Sequence, residues 1–80
     1  MVWHEITYRR RMELTLWTEL DKAGCILEPG KPLAGEKRKA FVRAVWEFQG
    51  KFRWADCDTI AEILGMKGQH VRSIMNNTII

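Results

Sequence analysis

The stretch Asp58-Thr-Ile-Ala-Glu-Ile-Leu-Gly65-Met-Lys-Gly-Gln-His70-Val-Arg-Ser-Ile-Met-Asn-Asn77 constrains this chain more than any other, because it holds two apolar periods hinged at one glycine. Ile60, Ala61 and Leu64 fall on one helical face, and Met66, Val71 and Ile74 form the seam of a second helix. Gly65, between them, is the residue type that tolerates a left-handed helix end. Ala61 is small where the helices would cross. A large side chain there would hold the two backbones apart, and a β-carbon at Gly65 would strain the turn, so both choices have a steric cause.

The rest of the chain divides at its glycines and prolines. Tyr8 to Ala23 reads as a helix with Met12, Leu16, Leu20 and Ala23 on one face, Trp17 beside them and Gly24 as the stop. Cys25 to Gly35 contains Pro29-Gly30 and Pro32 and cannot continue it, so a loop is expected. A second helix follows from Glu36, with Phe41, Ala44, Val45 and Phe48 at helical spacing and Gly50 ending it. Phe52 and Trp54 alternate with Lys51 and Arg53, which fits either a short extended segment or a loop whose rings plug the core. The periods together predict helices near residues 8 to 23, 36 to 49, 57 to 64 and 68 to 76, and no sheet. Asn77-Thr-Ile-Ile80 carries no stop signal; its end either frays or offers Ile79 and Ile80 to a second copy.

Length and composition restrict the function classes. Eighty residues make one domain, residues 1–80, and a chain of this size buries only about 60% of its unfolded surface, so a partner or a homodimer interface would help it. At 46% apolar and 29% charged it is an ordinary globular sequence. It has no run of 18 apolar residues and opens with neither a signal nor a transit peptide, so no membrane span and a cytoplasmic location are expected. Cys25 and Cys57 stand apart with no CxxC or CxxH spacing and read as core thiols, and His4 and His70 lack the close ligand pairs a zinc site needs. No catalytic triad, carboxylate pair or phosphate loop is recognisable, so neither an enzyme nor a cofactor is expected; Gly65-Met-Lys-Gly68 lacks the spacing and the following Ser or Thr of a P-loop.

The window with Ala61, Gly65 and apolar Ile60, Leu64, Met66, Val71 and Ile74 resembles the helix-turn-helix of small bacterial and phage DNA-binding regulators, over about residues 57–77. One departure is that Lys67 and Gly68 stand where those proteins usually place a capping Ser or Thr. The resemblance implies a recognition helix presenting Lys67, Gln69, His70, Arg72, Ser73 and Asn76 to double-stranded DNA. Gln and Asn can bond adenine edges, Arg guanine edges, and Lys or Ser the phosphates. Leu16-Trp17-x-x-Leu20, Ala23-Gly24, Ala40-Phe41-Val42-Arg43 and Arg53-Trp54 also resemble, over roughly residues 12 to 66, the C-terminal part of the Gem-type host-modulating regulators of Mu-like phages. That likeness implies a phage or prophage origin and a role in altering gene expression.

Charge points the same way. Net charge is +3, with Arg9-Arg10-Arg11, Lys37-Arg38-Lys39 with Arg43, and Lys51 with Arg53 as clusters, while Glu13, Glu19, Asp21 and Glu28 are expected to gather elsewhere. Lys37, Arg38 and Lys39 in the first turn of the second helix oppose its dipole, a cost that a phosphate partner would offset. Each cluster is equally readable as a solvated face. Of the four tryptophans, Trp17 and Trp46 are expected in the core, whereas Trp3 and Trp54 fit either core or a protein interface. The resulting expectation is an all-α domain of four helices ending in a helix-turn-helix and acting as a DNA-binding transcriptional or phage regulator. The rival from another class is a protein-interaction module, such as a phage-encoded modulator that docks on a host regulatory protein.

Overall fold

In a computed structural model, residues 2–78 apart from Pro29 are described, with side chains from Thr7 onward. The described residues form four α-helices and no strand: α1 Val2–Lys22, α2 Gly35–Lys51, α3 Cys57–Leu64 and α4 Gly68–Asn77. Helix α1 packs along α2 and α3 along α4, and α2 also reaches α4, so α2 joins the two helical pairs. None of these helices is long and apolar enough to cross a membrane.

The expected helices are all present, with two boundary differences. Helix α1 starts at Val2 instead of near Tyr8 because nothing from Val2 to Thr7 breaks it: no glycine or proline interrupts the run. Gly50 does not end α2, which continues to Lys51 and closes where the Phe52 N–H donates to the Phe48 carbonyl at 2.9 Å. Gly50 keeps a negative φ and behaves as an ordinary helical residue.

Met12, Leu16 and Leu20 of α1 meet Phe41, Ala44, Val45 and Phe48 of α2, and Ile60, Ala61, Val71 and Ile74 close the core from the other pair. Fully burying each Met, Leu, Phe, Val or Ile among them contributes about 1.5–3 kcal/mol. Phe52 plugs this core as a loop residue, packed at 5.0 Å from the Phe48 ring. Trp54 does not. It is 58% exposed, stacks on Tyr8 with centroids 5.6 Å apart, and donates from Nε1 to the Tyr8 hydroxyl at 3.0 Å.

Two sequence expectations are corrected. Trp17 and Trp46 are not core residues: they are 45% and 54% exposed. At about 100° per residue, both fall past the edge of the arc spanned by the buried positions, Met12, Leu16 and Leu20 on α1 and Phe41, Ala44, Val45 and Phe48 on α2. Phenylalanines fill the space instead. Nor are the acids segregated from the bases: Glu13 pairs with Arg9, Glu28 with Lys31 and Lys37, and Glu19 with Lys22 and Lys51. The expected contact of Ile79 and Ile80 with a second copy, and the place of the Trp3 side chain, lie outside the described residues.

Candidate nucleic-acid interface

Helix α3 is fixed at both ends by local chemistry. The Asp56 carboxylate accepts the Thr59 N–H at 2.8 Å, which caps the helix and holds that carboxyl below its ordinary range. At the other end Gly65 takes φ 71°, the Gly65 N–H donates to the Glu62 carbonyl at 3.4 Å and the Met66 N–H to the Ala61 carbonyl at 2.8 Å. This is a Schellman closure, and it turns the chain into α4 within three residues.

Helix α4 begins without such help. Lys67 at its N-cap makes no side-chain bond, as the sequence departure at this position implies. The Lys67 side chain therefore gives the first-turn amides no acceptor, and no acidic residue of α4 itself lies in that turn. Gly68 rests directly on Asp58 of α3: a β-carbon there would collide with the Asp58 carboxylate.

Val71 and Ile74 hold one side of α4 in the core and leave Gln69, Arg72, Ser73 and Asn76 exposed on the other. Arg72 and Ser73 each stand three or four positions from both Gln69 and Asn76, the spacing of helical neighbours, so the structure brings the four onto one polar face. His70 is exposed as well but turns toward the apolar side, where it borders a groove with Trp17, Leu33 and Met66. Arg72 is not free on its face. Its Nη2 donates to Asp58 Oδ1 at 2.9 Å.

The basic residues of α2 divide differently. Arg38 reaches the end of α4, donating from Nε to the Thr78 hydroxyl at 2.7 Å, while the same hydroxyl donates to the Ile74 carbonyl at 2.6 Å. Lys37 pairs with Glu28 at 3.3 Å and Lys39 with Glu36 at 3.6 Å. Arg43 makes no ion pair among the described residues, but it lines a cleft between α1 and α2 with Glu19, Lys22 and Lys51. Lys67 and Arg38 thus flank α4 at its two ends, whereas Arg43 belongs to another surface.

Three contacts at this site escaped the sequence reading. Asp58 to Arg72 spans 14 positions, Arg38 to Thr78 spans 40, and Arg9 reaches Glu62 of α3 across 53 at 3.1 Å. No periodicity carries such pairings. Asp56, by contrast, was recognisable as an N-cap, since it stands directly before the apolar period of α3. Among the described residues no three His, Cys, Asp or Glu side chains converge as a metal site. Comparison with known proteins gives no match: no protein-family model, no curated protein and no solved structure.

Proposed function

We propose that the protein is a small DNA-binding regulator in which α3 and α4 act as a helix-turn-helix and α4 enters the major groove. The observation that carries this reading is the polar face of Gln69, Arg72, Ser73 and Asn76, exposed while Val71 and Ile74 anchor the opposite side. Those side-chain types match base-edge donors and acceptors, and the three-residue step from Gln69 to Arg72 would let both reach base edges in one groove. Lys67, exposed at the start of α4, adds a cation that suits a phosphate oxygen. At the far end Arg38 supplies a second cation. The reading is tested by selecting sites from a random pool of double-stranded DNA. Enrichment of a short motif that depends on Gln69 and Arg72 supports it, and no enrichment at low salt refutes it.

A protein partner is the second reading, favoured by a separate observation. Trp46 is more than half exposed on the outer side of α2, between Arg43 and Gly50, and Trp and Arg are both enriched in binding hot spots. The readings separate on Trp46→Ala. Unchanged DNA binding with loss of a protein contact assigns the ring to a partner.

A further inference from the structure

A groove of about 630 Å³ lies between α1, the segment joining α1 to α2, and the turn joining α3 to α4. Its walls are Trp17, Leu27, Leu33, Leu64 and Met66. The four aliphatic side chains are packed against the core, yet Trp17 stays 45% exposed, so a standing apolar surface is left to water. The polar residues on the rim are Glu28, Lys31 and His70. Glu28 accepts from Lys31 at 3.0 Å and from Lys37 at 3.3 Å. Two ammonium groups on one carboxylate leave a positive charge in excess, and the Lys31 side chain, although paired with Glu28, is 73% exposed and has room for a second anion.

We propose that this groove binds a small apolar carboxylate, an aryl or medium-chain acid whose hydrocarbon lies on Trp17 and Leu33 and whose carboxylate meets Lys31. The volume fits, because ligand sites run at about 300–1,000 Å³ and combine apolar walls with a few polar groups at one edge. The excess charge at Lys31 selects an anion over a neutral molecule of the same shape. This inference concerns binding alone and stands whether or not α4 meets DNA.

The test is a titration of the full chain with naphthoate, and with naphthamide as the neutral isostere, followed by amide NMR shifts. The expected result is saturable binding with shifts centred on Leu27, Lys31, Leu33, Met66 and His70. Naphthoate should bind about two- to fivefold more tightly than naphthamide, the scale of one exposed ion pair. Lys31→Gln, at an exposed position, should abolish that preference without unfolding the chain, and Trp17→Ala should weaken both probes. Shifts that do not saturate, shifts centred on Trp46 or Trp54, or equal affinity for the two probes would overturn the proposal.

Discussion

Arg72 of α4 and Asp58 of α3 are joined at 2.9 Å, so the arginine on the polar face of α4 is already held by the protein. Both side chains are more than half exposed, and such pairs are worth about 1 kcal/mol at most, so a guanine edge can compete for Arg72 at little cost. Asp58→Asn is expected to raise affinity for a selected DNA site by up to about fivefold and to change unfolding stability by less than about 1 kcal/mol. Part of that gain is general, since a negative charge near the phosphates is lost. The part due to Arg72 must vanish in the Arg72→Ala background, and a gain of equal size with and without Arg72 would show that the pair does not gate recognition.

The two glycines at helix ends respond oppositely to a methyl group. Gly65 sits at φ 71° with open space around it, so Gly65→Ala should cost about 1–2 kcal/mol from backbone strain alone. Gly50 is helical with a negative φ and equally open surroundings, so Gly50→Ala should stabilise by about 0.5–1 kcal/mol. Urea unfolding of the two variants reads both signs directly. A stabilised Gly65→Ala variant would contradict the left-handed turn.

At the start of α4 a trade-off between stability and binding is expected. Lys67→Ser supplies the missing cap oxygen and should stabilise the fold by about 1 kcal/mol. The same change removes a cation from the proposed phosphate site. The slope of log affinity against log salt should become shallower by about 0.9, the value of one phosphate contact. A variant that is stabilised but keeps its slope places Lys67 outside the interface.

Acid should loosen the α1–α2 pair. Glu19 is buried, and its carboxyl is held below the ordinary 4.5, chiefly by the hydrogen bond from Lys51 and in addition by Lys22. A depressed carboxylate stabilises the fold above its unfolded pKa, and the contribution is lost as pH falls through the folded value. The urea midpoint should therefore drop as pH is lowered below 4.5, and Glu19→Gln should shrink the difference between neutral and acid midpoints. Glu28, lowered by Lys31 and Lys37, and Asp56, lowered by the Thr59 N–H, keep a residual slope in that variant. An identical midpoint difference in wild type and Glu19→Gln would remove Glu19 from the acid response.

The helices were legible because their signals are local. Met12-Leu16-Leu20 and Phe41-Val45-Phe48 repeat at helical spacing and are buried as that spacing requires, and Gly65 marked the turn between α3 and α4. Side-chain direction near the edge of an apolar stripe was not legible. Trp17 and Trp46 extend their stripes by one position, and hydrophobicity alone does not show where burial stops along a helix face. Charge pairing was less legible still, because Arg9 with Glu62 and Lys51 with Glu19 are neighbours only after the helices pack. The polar face of α4 could be listed from the sequence, but the hold of Asp58 on Arg72 and the displacement of Arg43 to another surface are products of the tertiary fold.

The central claim, that α4 reads DNA, is tested most directly by the affinity of wild type and Arg72→Ala for a selected duplex and for random duplex across a salt series. Affinity should fall steeply with salt, by about 0.9 in log units per phosphate contact for each tenfold rise. Arg72→Ala should cost about 1–3 kcal/mol on the selected site and much less on random DNA. An affinity indifferent to salt, or no loss on either duplex, would contradict the account and leave the exposed tryptophans, with a protein partner, as the better guide to function.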